Sequence, residues 1–174
     1  MAMTQMGFLF DQTYCIGCQT CVHACRARHG TEPGTYPRKA TSSQVQVVGP
    51  FLSMSCNHCD NPACVSACPT TALQKREDGI VVHDPSVCIG CFMCKMACPY
   101  DAPQKNLLTG TMVKCDMCAA RLDAGDEPAC VAACPTKVLT YGEVHELEAA
   151  GGVCDGDAYP FEAIGPNFYV IPTN

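Results

Sequence analysis

The chain has 174 residues and a formal charge of −6, and 17 of its residues are cysteine. Leu, Ile, Val and Phe together make up less than a fifth of it, and Trp is absent. Aliphatic burial alone is therefore a thin basis for a fold of this length. The acidic balance argues against a nucleic-acid footprint, which needs a basic patch.

In chain order, the first element expected is a strand at Phe8 to Phe10. It leads into a first cysteine group, Cys15, Cys18, Cys21 and Cys25, spaced C-x2-C-x2-C-x3-C. The Gly- and Pro-rich segment from His29 to Lys39 reads as a loop, and Val45 to Val48 as a second strand. The most apolar stretch, Val45 to Met54, is interrupted by Gln46, Gly49, Pro50 and Ser53. It falls far short of the ~20 apolar residues that span a bilayer. No Lys or Arg precedes Arg26, so no charged leader of an export signal is expected. Any membrane attachment or export is expected to come from a partner.

The second group is Cys56, Cys59, Cys64 and Cys68, and its last two cysteines lie in the run PACVSAC (62–68). Proline suits a helix start, and Pro69 stops the helix, so one short turn is expected here. ALQKREDGIVVHD (72–84) reads as two short strands around Asp78-Gly79, a favoured hairpin turn. The third group, Cys88, Cys91, Cys94 and Cys98, repeats the spacing of the first. The fourth, Cys115, Cys118, Cys130 and Cys134, has eleven residues between its middle members and ends in PACVAAC (128–134), a second short helix. The acidic run Glu143 to Glu148 fits one face of a short solvated helix. From about residue 146 an irregular arm is expected, and it carries Cys154, for which the default is a small buried hydrophobe.

The groups are also internal repeats. Residues 61–73 match 127–139 at nine of thirteen positions, and 14–26 match 87–99 at seven of thirteen. Duplication of one module is the simplest source. Short strands alternating with one-turn helices then suggest an α+β fold of two ferredoxin-like modules. Residues 1–30 with 100–145 would form the first module and 50–99 the second. Residues 31–49 would connect them, and 146–174 would form the arm.

Three chemistries compete for these cysteines. Disulfide partners need suitable Cα separation and directed Cβ vectors, which tight triplets every third residue fit poorly. Structural zinc takes paired knuckles with two thiolates from each, whereas each group here offers three close thiolates and a displaced fourth. Cubane iron–sulfur clusters fit. In bacterial ferredoxins C-x2-C-x2-C wraps three corners of a cluster, and C-x3-C-P sends the next thiolate to another. Pro69, Pro99 and Pro135 follow the last cysteine of three groups, while Arg26 takes that place in the first. Sixteen cysteines serve four 4Fe-4S clusters at four apiece. Sixteen thiolates against oxidised cores of about +2 each add roughly −8, taking the loaded chain to about −14.

With these motifs laid out, the chain resembles the four-cluster iron–sulfur subunit of dimethyl sulfoxide reductase and related molybdopterin oxidoreductases. The likeness is closest in SCNHCDNPACVSACPTTALQKREDGIVVHDPSVCIGC (55–91) and MACPYDAPQ (96–104), and PNFYVIP (166–172) is similar to part of the family's tail. The resemblance implies an electron-transfer subunit with no catalytic residue of its own. It would relay electrons between a molybdopterin catalytic subunit and a membrane anchor subunit that exchanges electrons with quinol, or another donor. The alternative is a free-standing polyferredoxin. The resemblance also implies a nested ligand set, which spacing alone does not choose over pairing of adjacent groups. Cys15, Cys18 and Cys21 would share a cluster with Cys134, and Cys115, Cys118 and Cys130 one with Cys25. Cys56, Cys59 and Cys64 would share one with Cys98, and Cys88, Cys91 and Cys94 one with Cys68. The location implied is a membrane-associated complex facing away from the cytoplasm through the partner's export signal, with the cytoplasm as alternative. His23 and His58, inside the ligand loops, are not needed as ligands. Met54, Met93, Met96, Met112 and Met117 are expected to pack around the cofactors. Lys95 and Lys114 flank ligands and read either as tuning cations or, by default, as solvated surface residues.

Overall fold

The computed structural model describes residues 4–42, 51–154 and 164–172. The expected strand at Val45 to Val48 lies outside these. Among the described residues the chain is a small mixed α/β structure of short elements around one three-stranded sheet.

That sheet is built on β1 (Met6–Asp11). Strand β1 is central, with β8 (Leu139–Glu143) antiparallel on one side and β9 (Phe168–Ile171) parallel on the other. Phe8 registers against Tyr141 and against Phe168. Both faces of β1 are covered, which is why it reads as a continuous apolar run without alternation. Phe8 and Phe10 point into the main core with Leu139, Phe168 and Val170. Leu9 points the other way, to Leu147 and Tyr169. A Cβ on Gly7 would stand 2.7 Å from the Asn167 carbonyl oxygen, so only glycine allows this approach.

The remaining strands form three two-stranded units. Strand β2 (Lys39–Ser42) pairs with β3 (Phe51–Met54), β4 (Leu73–Lys75) with β5 (Val81–His83), and β6 (Gln104–Lys105) with β7 (Met112–Val113). The β4–β5 hairpin falls where Asp78-Gly79 places it, with Gly79 at φ 80°. It is tied to the sheet by the Met6 N–H, which donates to the Asp78 carbonyl at 2.9 Å.

The helices are α1 (Thr20–His29), α2 (Ala63–Ser66), α3 (Met93–Ala97), α4 (Ala119–Asp123), α5 (Ala129–Ala132) and α6 (Val144–Ala149). Helices α2 and α5 are the single turns expected, with Pro62 and Pro128 as the residues just before them. Helix α1 runs for ten residues. The reason is Arg26: with no proline after Cys25, the backbone continues to Gly30, whose left-handed φ of 59° caps it. The loop therefore begins one residue later than expected. Helix α1 packs on α5, and α2 on α3.

The irregular arm needs correction. Residues 144–149 are helical and 168–171 are a strand of the central sheet. Phe168 and Val170 bring apolar area to a core poor in aliphatic side chains, and that burial orders the segment.

Candidate metal centres

The first C-x2-C turn of each group has a left-handed residue just before its second cysteine. These are Gly17 at φ 66°, His58 at 45°, Gly90 at 66° and Met117 at 53°. Such turns bring successive N–H groups toward one point, a geometry suited to anions. Each C-P sequence is followed by a second left-handed residue, namely Thr71, Asp101 or Lys137. The N–H of each donates to the carbonyl of the group's last cysteine.

These turns bring distant cysteines together. Cys56, Cys59 and Cys64 line a pocket with Cys98, walled by Pro62, Val81 and Tyr100. Cys88, Cys91 and Cys94 line another with Cys68, walled by Leu73, Phe92 and Met112. Cys15, Cys18 and Cys21 line a third with Cys134, beside Phe10 and Ser53. Cys25, Cys115, Cys118 and Cys130 are all buried, and Cys25 feels the other three electrostatically.

Burial pushes the Cys59 and Cys64 thiols up to about 12, with Cys56 adding to it, and pushes Cys115 up to about 12 as well. Loading with metal must displace these protons. Cys68 and Cys134 differ. Burial opposes ionisation there too, yet the N–H groups of Leu73 and Thr70, and of Leu139 and Val138, outweigh it and hold both thiols below their usual value. Among the described residues no three Cys, His, Asp or Glu side chains converge on one metal ion. Four thiols around a largely apolar pocket suit a polynuclear core, and a 4Fe-4S cubane fits that donor set.

Several flanking residues depart from expectation. Lys114 is not a solvated surface residue: it is 2% exposed, and its Nζ donates to the carbonyls of Val81 and Cys115. Lys95 does lie at the surface, paired with Asp101. His58 is fully buried, and its Nδ1 accepts the Val81 N–H at 2.9 Å, which leaves the proton on Nε2. Burial, then Lys114, holds it neutral. Met112 and Met117 pack in the core, but Met93 and Met96 face solvent. Cys154 is exposed, and its Sγ donates to the Pro166 carbonyl at 3.3 Å. It is not the buried hydrophobe expected. Arg38 and Ser53, which no local pattern singles out, are both buried among the ligands.

Fold and donor sets together define an iron–sulfur protein of the ferredoxin type. Residues 47–144 match the family model of a 4Fe-4S dicluster domain and residues 12–28 that of a 4Fe-4S binding domain. The chain is 43% identical to the B subunit of anaerobic dimethyl sulfoxide reductase from Escherichia coli K12 over 161 residues, which covers 86% of this chain and 78% of that one. It is 40% identical to the thiosulfate reductase electron transfer subunit PhsB of Salmonella typhi, covering 89% and 84%. The B subunit of polysulfide reductase from Wolinella succinogenes is also 40% identical, covering 95% and 93%. The chain belongs to this family, the iron–sulfur electron-transfer subunits of dimethyl sulfoxide reductase and its relatives. Among the described residues no helix is long and apolar enough to cross a membrane.

Proposed function

We propose that this chain carries electrons through four 4Fe-4S clusters between a molybdopterin catalytic subunit and a membrane quinol or quinone subunit or another donor. Bound clusters supply one-electron steps, and the protein holds them, insulates them and sets their potentials. The observation that supports this reading is that three pockets are each lined by four cysteines from two stretches of chain, and that Cys115, Cys118 and Cys130 act on buried Cys25.

The ligand sets we propose are Cys15, Cys18, Cys21 and Cys134; Cys25, Cys115, Cys118 and Cys130; Cys56, Cys59, Cys64 and Cys98; and Cys68, Cys88, Cys91 and Cys94. Shared cavity walls support three of them and mutual electrostatics the fourth. The packing of α1 on α5 and of α2 on α3 supports two duplicated modules. Residues 1–30 with 100–145 would be one and 50–99 the other, joined by 31–49, with 146–174 added to the first. The chain itself is non-catalytic, since four cysteines per cluster leave no iron open to a substrate. The complex is membrane-associated and faces away from the cytoplasm, exported by its partner.

Iron and sulfide analysis of the purified chain tests the reading. About sixteen of each per chain is expected for four cubanes; twelve or fewer irons at full loading sinks it. Co-purification separates the two partner readings: a molybdenum-containing subunit is expected, and a stable monomeric carrier overturns the subunit role.

A further inference from the structure

Arg38 is among the largest fully buried side chains of the protein, at 0% exposure. Its Nη1 donates to the Ser53 carbonyl at 3.0 Å and to Ser53 Oγ at 3.2 Å, and its Nη2 donates to Ser55 Oγ at 2.9 Å. The guanidinium carbon stands 4.6 Å from the centre of the Phe8 ring. Nε has no partner among the described residues, and among them no carboxylate pairs with Arg38. A buried charge without a counter-charge costs several kcal/mol. Two serines and an aromatic face do not offset that.

The counter-charge would come from cysteines, which become thiolates when they bind metal. Cys130, Cys115, Cys25 and Cys21 are the groups that act most strongly on the Arg38 charge. Three belong to the set with Cys118, and Cys21 belongs to the set with Cys15, Cys18 and Cys134. Ser53 is 1% exposed, and its Oγ lies 3.2 Å from Cys21 Sγ. Because Arg38 already donates to that oxygen, the hydroxyl proton turns to the sulfur. A loaded site of four thiolates and an oxidised core carries about −2, and reduction adds one more negative charge.

We propose that Arg38 is the shared counter-cation of two clusters, those of Cys15, Cys18, Cys21 and Cys134 and of Cys25, Cys115, Cys118 and Cys130. It raises both potentials and favours loading of both sites. This rests on the ligand sets proposed above. The cation lies close to both negative centres in an interior that water does not screen, so it favours the more negative, reduced form of each. Ser53 carries part of the effect to the first cluster alone, through its hydrogen bond to Cys21.

The experiment is a potentiometric titration of the loaded full-length chain, followed by electron paramagnetic resonance, with iron content measured beside it. In Arg38→Gln two of the four midpoints fall by at least a tenfold change in reduction equilibrium, about 59 mV for a one-electron couple. The other two stay in place. Arg38→Lys keeps the charge and holds both midpoints closer to wild type, and Ser53→Ala lowers one midpoint only. If Arg38→Gln loses the iron of two clusters while Arg38→Lys retains it, the charge is needed for loading and the proposal stands. Equal shifts or equal losses in the Gln and Lys variants overturn it, as do four unmoved midpoints. Fewer than four clusters in the wild-type chain refutes the ligand sets instead, so the two failures are told apart.

Discussion

The first and third cysteine loops share the sequence C-I-G-C, and their backbones are nearly the same. Gly17 and Gly90 both have φ 66°, and the residues that open the following helices, Gln19 and Phe92, have φ 59° and 58°. Their surroundings differ. The first loop faces Phe10 and Ser53, the serine to which Arg38 donates. The third is walled by Leu73, Phe92 and Met112. Burial, the Lys95 N–H and the thiols of Cys68, Cys88 and Cys91 act most on Cys94, with no cationic side chain among them. The same spacing thus builds the same loop backbone, while residues far away in sequence give the two loops different surroundings.

The largest test of the comparison asks whether both loops send away their fourth cysteine. Cys98→Ser is expected to cost the cluster of Cys56, Cys59 and Cys64, up to four irons by analysis. The third loop, from which Cys98 comes, should keep its own cluster. Loss confined to Cys88, Cys91 and Cys94 would refute the crossed wiring.

Lys114→Met comes next. It leaves the buried carbonyls of Val81 and Cys115 without their donor, at about 2–4 kcal/mol in a denaturant melt. It also lowers the midpoint of the cluster held by Cys64, on which the Lys114 charge acts. The third loop's cluster, where no cationic side chain is among the strongest influences on Cys94, should move less.

The two glycines divide the loops on a finer scale. Each Gly→Ala variant meets the left-handed penalty of about 1–2 kcal/mol. At Gly17 the new Cβ would stand 2.4 Å from the ring of half-buried Phe51, which can swing aside. At Gly90 it would stand 2.6 Å from the backbone oxygen of Gly110, which cannot. Gly90→Ala should therefore melt lower than Gly17→Ala by about another 1 kcal/mol.

The smallest effect belongs to Asp101, just past the third group. A hydrogen bond from Lys95 holds its carboxyl down at about 2 from the usual 3.8. The folded value is below the unfolded one, so the stability it contributes is present above about pH 4 and is lost as the pH falls toward 2. The side chain is 55% exposed, and solvent screening keeps the effect below ~1 kcal/mol. The gap in denaturation midpoint between wild type and Asp101→Asn should narrow from pH 5 to pH 3. A constant gap would disprove the titration.

Local rules made much of this legible in the sequence. The hairpin at Asp78-Gly79, the single turns after Pro62 and Pro128, and the closely spaced cysteines of the first and third groups each depend on residues close to one another in the chain. What stayed hidden is set by contacts across the chain. Arg38 and Lys114 look like surface cations, because nothing nearby in sequence shows that Ser53 and Ser55, or Val81, will enclose them. His58 and Met117 occupy left-handed positions that sequence would reserve for glycine, held there by full burial. PNFYVIP reads as part of an irregular arm, because its strand has no hairpin partner nearby and pairs instead with β1, at the other end of the sequence.

That last pairing has a consequence for how the protein is made. Strand β1 leaves the ribosome early, but both strands that flank it come from residues 139–171. Until those residues emerge, Phe8 and Phe10 have no sheet to join, and both edges of β1 stay open. In the proposed ligand sets, Cys15, Cys18 and Cys21 likewise wait for Cys134. The inner hairpin and its cysteines can close first, so the order of assembly runs from the middle of the chain outward. A nascent chain stalled before residue 168 would present an unprotected edge strand, the kind of surface that chaperones bind and that aggregates when they do not.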